Sequence, residues 1–217
     1  MTDFATARRN MVEGQVRTAD VTNLRIIAAM LEIPREAFVP PAMAGLAYLD
    51  CDLQIGSGAH TTRRLLKPMV LAKLIQAAEV AGSDRVLDVG CATGYGAAVL
   101  ARLAAHVVAL EEDAGLTKAD ALTGLRNLTL VSGPLAKGYP PGGPYDAILL
   151  EGAAEMVPQA LFRQIKDGGR LVCVLGSGPG AKAMLYRRSG EDIGSRPIFD
   201  AAAPILPGFA KPPVFAF

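Results

Sequence analysis

The run Val86-Leu87-Asp88-Val89-Gly90-Cys91-Ala92-Thr93-Gly94-Tyr95-Gly96 carries the residue types that hold a nucleotide-like ligand. A short apolar stretch ends in a glycine-rich turn, and Glu111-Glu112-Asp113 close the next apolar stretch. Glycines let the backbone come close to a ligand. An acid at the end of the second strand of such a pair accepts the hydroxyls of a ribose. Two ligands compete for this pattern. A dinucleotide fingerprint needs a glycine at position 92, where this chain has Ala92. Asp88 would repel a pyrophosphate, but it suits a ligand that carries an ammonium and a sulfonium. That charge logic favours S-adenosylmethionine, held by Asp88, Gly90, Cys91, Ala92, Gly94, Tyr95, Glu111 and Glu112. The bland alternative is that glycines and acids end these strands by chance.

These residues need a scaffold, and the chain supplies a pattern for one. Near-continuous apolar runs at 85–89, 106–110, 128–131, 147–150 and 170–175 read as strands buried on both faces, hence a parallel sheet. Helix-compatible stretches at 95–103, 114–125 and 158–165 separate most of them. Alternation of this kind predicts an α/β, doubly wound, mostly parallel sheet. Two closing strands follow at 182–188 and 196–200, then a proline-rich tail packed by Phe209, Phe215 and Phe217. Before the sheet, helical periodicity marks 4–17 and 21–31, and Pro68 opens another helix. The predicted organisation is one compact unit. Residues 1–82 form a helical N-terminal segment with an acceptor loop, and residues 83–217 form the cofactor-binding core and tail.

Composition narrows the function classes. The 217 residues carry a net charge of +1 and are 51% hydrophobic, so neither nucleic acid nor an anionic membrane is an expected partner. No apolar run reaches the roughly 18 residues of a membrane span, and charges at Asp3, Arg8 and Arg9 oppose a signal peptide. Cys51, Cys91 and Cys173 are odd in number and far apart, which fits a reducing cytoplasm and excludes a cysteine zinc site. Two histidines, His60 and His106, make no histidine-rich metal site.

Over nearly its whole length the chain resembles the protein-L-isoaspartate O-methyltransferase family. The resemblance rests on Asn10-Met11-Val12-Glu13-Gly14-Gln15-Val16-Arg17, Ile33-Pro34-Arg35-Glu36-Ala37-Phe38-Val39-Pro40, Ala47-Tyr48-Leu49-Asp50 and Ile55-Gly56-Ser57-Gly58. It continues through the glycine turn, Pro144-Tyr145-Asp146-Ala147-Ile148 and Asp167-Gly168-Gly169-Arg170-Leu171-Val172. The resemblance implies a Rossmann-like seven-stranded sheet with its last strand antiparallel, and S-adenosylmethionine as cofactor. It also implies methylation of isoaspartyl carboxylates in damaged proteins, with an isoaspartyl peptide or protein, or a small carboxylate, as acceptor. A carboxylate is ionised near neutral pH, with an ordinary pKa of about 4, so the reaction needs positioning rather than a general base.

The family's hydroxyl-bearing loop falls on Gly58-Ala59-His60-Thr61-Thr62-Arg63-Arg64-Leu65-Leu66-Lys67-Pro68. Counting forward from Gly58 puts Thr62, beside Thr61, at the serine position associated with methyl transfer; counting back from Pro68 puts Leu66 there. His60 either orients a substrate or is a plain loop residue. An arginine fork matches a carboxylate, so Arg63 or Arg64 either clamps the acceptor, pairs with Glu151, or is solvated. Two further departures from the family are Gly133-Pro134-Leu135 in place of Gly-Asp-Gly, and Glu151 in place of a small or hydroxylated residue. Two alternatives stay open: a methyltransferase of the same build with another acceptor, and a domain that binds cofactor without turning it over.

Overall fold

In the computed structural model, which describes residues 3–56, 63–117 and 119–212, the apolar runs form one seven-stranded sheet. Its strands are β3 (Arg85–Val89), β4 (His106–Glu111), β5 (Leu128–Ser132), β6 (Tyr145–Ala154), β7 (Ile165–Leu175), β8 (Lys182–Ser189) and β9 (Asp192–Asp200). Their order across the sheet is β5-β4-β3-β6-β7-β8-β9. The first five strands run parallel. A small antiparallel pair, β1 (Leu53–Gln54) and β2 (Arg64–Leu65), precedes them.

The expected reversal of the last strand is corrected in detail. β8 runs against β7, and β9 reverses again, so the penultimate strand is the one that opposes the parallel set. The connections before and after β8 are too short to hold a crossover helix, and a short connection forces an antiparallel neighbour.

Both faces of the sheet are covered, and side chains alternate between them. Val86, Val107, Ala109, Ala147, Leu149, Val172 and Val174 join one apolar cluster with the N-terminal helices. Leu87, Val89, Val108, Leu110, Ile148, Leu150 and Leu171 join a second cluster with Leu161, Leu206 and Phe209. Helices α1 (Phe4–Met11), α2 (Leu24–Glu32), α3 (Pro68–Ala77) and α4 (Tyr95–Ala101) serve the first face, while α5 (Gln159–Phe162) lies on the second. Local chemistry sets their starts. Asp3 accepts a hydrogen bond from the Thr6 amide, Asn23 from the Arg25 amide, and Pro68 opens α3 where an amide hydrogen has no partner to lose. After α1 the chain continues through a π-helical turn, Val12–Val16, so the predicted helix over 4–17 is interrupted.

The predicted helix over 114–125 is absent among the described residues; a 3₁₀ turn, Ala119–Leu122, stands in that span. Asp113 accepts the Gly115 amide in a local turn, and Gly124 takes a φ of +91°, so both ends favour bends over helix. The consequence is visible next door. Edge strand β5 is exposed at Thr129 and Leu130, whereas β3, β4 and β6 have no exposed residue.

The tail does pack, through Phe209, which is buried; Phe215 and Phe217 lie outside the described residues. Before Phe209 the chain crosses the carboxyl end of β6. There the Leu206 amide donates to the Ala153 carbonyl at 2.9 Å, and the Ala153 amide donates to the Pro204 carbonyl at 2.8 Å.

Candidate active site

Alternation along three neighbouring strands places three acids on one side of the sheet. Asp88 follows Val86, Glu111 follows Ala109 and Glu151 follows Leu149, so all three face the N-terminal helices at the strands' carboxyl ends. All three are buried.

Between β3 and α4 the glycine turn takes left-handed backbone at Gly90 (φ +76°), Ala92 (φ +54°) and Gly94 (φ +96°). For Ala92 such a conformation costs on the order of 1 kcal/mol and persists only when its surroundings demand it. The demand comes from Glu111, whose Oε2 accepts the Ala92 amide at 2.7 Å. Oε1 of the same carboxylate accepts the amides of Glu112 at 2.9 Å and Asp113 at 3.3 Å. Glu112 itself is exposed.

Arg63 completes this cluster. One guanidinium nitrogen, Nη2, donates to Glu111 Oε2 at 2.6 Å and to the Gly90 carbonyl at 3.0 Å. The side chains of this pair are 6% and 3% exposed, so it is a buried ion pair. Of the roles the sequence leaves open for Arg63, pairing with Glu151 is not the one found: its carboxylate partner is Glu111. Arg64 lies half-buried on β2, its backbone paired with Gln54. His60, Thr61 and Thr62 lie outside the described residues. Leu66, the competing position for the family serine, is buried, and its carbonyl accepts from Arg35 at 2.7 Å.

Glu151 has taken a different partner. It is buried on the same face as Asp88, and each carboxyl acts on the other's proton affinity. Burial, with the charge of Glu111 added, pushes Asp88 up to about 7 against the opposing pull of Glu151 and Arg63. Burial, with Asp88 close by, holds Glu151 well above the ordinary carboxylate range. Two carboxyl groups this close and this dry share protons as a unit. Neither oxygen of Asp88 has a hydrogen-bond donor, nor does Oε1 of Glu151. Gly96 makes room for the pair, since a Cβ built there would stand 1.8 Å from Glu151 Oε1.

Next to the acids, Tyr95 is fully buried, with the Arg35 guanidinium 4.7 Å from its ring centroid and Phe38 edge-on at 5.6 Å. Burial pushes the Tyr95 phenol up to about 12 and the Cys91 thiol well above its usual range, so neither ionises near neutral pH. Arg35, 0% exposed, ties the N-terminal segment to the chain beyond β2 by donating to the carbonyls of Ala47 and Leu66.

A cavity of about 390 Å³ opens beside Glu111, lined by Arg63, Glu111, Glu112, Asp113 and Pro207. Pro207 and Leu206 bring the tail to this place, and Leu206 packs against both Gly90 and Gly152. Sequence reasoning missed the roles of Arg35, Gly96, Leu206 and Pro207. Arg35 and Gly96 sat inside quoted motifs, where a buried cation and a second close-approach glycine were the available signals. For the tail residues no local signal exists, because their partners are more than fifty residues away.

The cofactor inferred from the glycine turn can be tested against these groups. Positive-φ backbone at the turn, a carboxylate at the tip of β4 and donor-free carboxyl oxygens on Asp88 suit a ligand with a diol and a cationic amino-acid end. Comparison with known proteins agrees with this chemistry. The sequence model of the protein-L-isoaspartate(D-aspartate) O-methyltransferase family matches residues 6–197. Protein-L-isoaspartate O-methyltransferase 1 of Rhodopseudomonas palustris (strain HaA2) is 38% identical over 198 residues, which is 88% of this chain and 79% of that protein. Among solved structures, a protein-L-isoaspartate O-methyltransferase superposes with a TM-score of 0.80 at 24% identity, over 93% of this chain and 66% of that one. A Plasmodium falciparum beta-aspartate methyltransferase in complex with S-adenosyl-L-homocysteine superposes with a TM-score of 0.76 at 16% identity, over 92% of this chain and 97% of that one. At these identities the two structures speak for the fold, while the sequence matches speak for descent. The chain belongs to the protein-L-isoaspartate(D-aspartate) O-methyltransferase family.

Proposed function

We propose that this protein is an S-adenosylmethionine-dependent carboxyl O-methyltransferase acting on isoaspartyl carboxylates in peptides and proteins. The observation that carries the reading is the Glu111 carboxylate, held by backbone amides at the tip of β4 beside the glycine turn. In this reading Glu111 takes the ribose hydroxyls, the turn from Gly90 to Tyr95 passes close to the ligand, and Glu112 stands at the cavity mouth. Asp88, with Glu151 behind it, faces the cationic amino-acid end. The cofactor supplies an electrophilic methyl group on a sulfonium.

The residues of the chain then orient and exclude water. An acceptor carboxylate is already ionised, and well-oriented reactants gain roughly 7–11 kcal/mol from positioning in intramolecular models. Glu151 is compatible with an anionic acceptor because burial favours its neutral form. Arg64, and Arg63 once it leaves Glu111, are the cations assigned to the acceptor, with His60, Thr61 and Thr62 as hydrogen-bonding groups. The first apolar cluster spans both the N-terminal helices and the sheet, which supports reading residues 1–82 and 83–217 as one unit. Among the described residues no helix is long and apolar enough to cross a membrane. With three free cysteines, two of them buried, we assign the protein to the cytoplasm.

Transfer of a labelled methyl group from S-adenosylmethionine to an isoaspartyl peptide tests the whole reading. Label should appear in the isoaspartyl peptide and not in its aspartyl counterpart. Cofactor binding without transfer to either peptide would move the acceptor elsewhere. Asp88→Asn should weaken S-adenosylhomocysteine binding by about 1–3 kcal/mol; unchanged affinity would displace Asp88 from the cofactor.

A further inference from the structure

We propose that Arg63 is a latch on the cofactor crevice, its guanidinium holding the face of Glu111 that the cofactor's ribose must take. The inference rests on the cofactor reading above and adds a movement of Arg63 to it.

A carboxylate offers about four lone-pair positions. Glu111 has four donors already: the amides of Ala92, Glu112 and Asp113, and Nη2 of Arg63. Three of these are backbone amides fixed by the glycine turn and the end of β4. Arg63 is the one side chain in the set, and a side chain can rotate away without unravelling a strand. A ribose diol that binds Glu111 must therefore displace Arg63. The guanidinium also closes over the first glycine of the turn, where a Cβ built on Gly90 would stand 3.3 Å from Nη2. The same side chain forms a wall of the 390 Å³ cavity.

A displaced buried cation needs a new counter-charge, since an unpaired one is costly. Glu112 and Asp113 supply it, since they line the same cavity as Arg63 and Glu111. The guanidinium thus has acids on either side of its swing: Glu111 while the crevice is closed, and the acids of the cavity wall once the ribose is seated.

Isothermal titration calorimetry with the full-length protein tests the latch. Arg63→Gln should bind S-adenosylhomocysteine about ten-fold more tightly than wild type, because a charge-assisted hydrogen bond no longer has to break. Adenosine, which carries the diol, should show a similar gain, and 2′,3′-dideoxyadenosine should show none. Arg187→Gln, which breaks only an exposed ion pair with Glu79, should behave as wild type. Should Arg63→Gln fail to fold in a thermal melt, Arg63→Lys carries the test, with a smaller gain in the same direction. Unchanged or weaker binding in a folded Arg63 variant would overturn the latch, as would an equal gain for dideoxyadenosine. If no variant binds S-adenosylhomocysteine at all, the cofactor reading itself fails and the latch goes with it.

Discussion

The two faces of the sheet are built from alternate residues of the same strands, yet they solve different problems. On the face toward α5 and the tail, strand ends finish in Val89, Leu110 and Leu150, all buried in an apolar cluster. The buried polar group there, Gln164, is satisfied: it accepts the Tyr139 amide and donates to the carbonyls of Lys137 and Ala160, each at 2.8 Å. On the opposite face the same strand ends finish in Asp88, Glu111 and Glu151. Here Asp88, Glu151, Thr93, Tyr95, Arg35 and Arg63 each keep a buried polar atom without a partner. Burying such atoms costs about 1–3 kcal/mol apiece. A face that tolerates so many has given up stability for a ligand, whereas the satisfied face only holds the sheet together.

The largest expected effect attacks the charged face where it is paired. Glu111→Ala leaves Arg63 as an uncompensated buried cation and should lower unfolding free energy by about 3–5 kcal/mol. Urea unfolding should show this loss, whereas Glu32→Ala, which breaks an exposed ion pair with Arg102, should cost less than about 1 kcal/mol. Equal costs would erase the distinction between buried and surface charge. On the apolar face, Leu161→Ala should cost about 2–5 kcal/mol and leave S-adenosylhomocysteine affinity unchanged. A large affinity loss there would mean the two faces are not functionally separate.

Gly96→Ala should cost about 1–3 kcal/mol by crowding Glu151, and much of that should vanish in the Glu151→Ala background. Additive costs in the double mutant would show that Gly96 and Glu151 are not fitted to each other. The gentlest expected effect is in pH. Asp88 and Glu151 hold protons more firmly folded than unfolded, so the folded state binds more protons. Stability contributed by protonated Asp88 is complete below its ordinary value of 3.8 and is lost as pH rises through about 7, and Glu151, raised by burial, adds a loss in the same direction. The slope is at most about 1.4 kcal/mol per pH unit for each proton retained. Urea midpoints measured from pH 4 to 8 should fall, and Asp88→Asn combined with Glu151→Gln should flatten the curve.

Much of this arrangement was legible before any coordinates. The strands announced themselves because both faces are buried and their sequences run apolar without break. The glycine turn announced itself through three residues with little or no side chain at its tight points. Failures followed a physical pattern. The helix expected over 114–125 rested on composition, but Gly115 and Gly124 bend the ends of a segment with little to hold it against β5. Glu151 is foreign to the family, and the residue order leaves an arginine partner as one open reading of it. Burial favours its neutral form, and Arg63 holds Glu111 instead.

From residue order alone came the parallel sheet, the turn at Gly90, the acid at the tip of β4 and the family, because each depends on periodicity or on residues a few positions apart. Only tertiary structure decided which acid Arg63 would hold, that Asp88 and Glu151 would share a dry pocket over Gly96, and that Leu206 would close on Gly90. Those outcomes turn on desolvation and on the distance between strands that are remote in sequence. A charge does not reveal its partner until folding has removed the water between them.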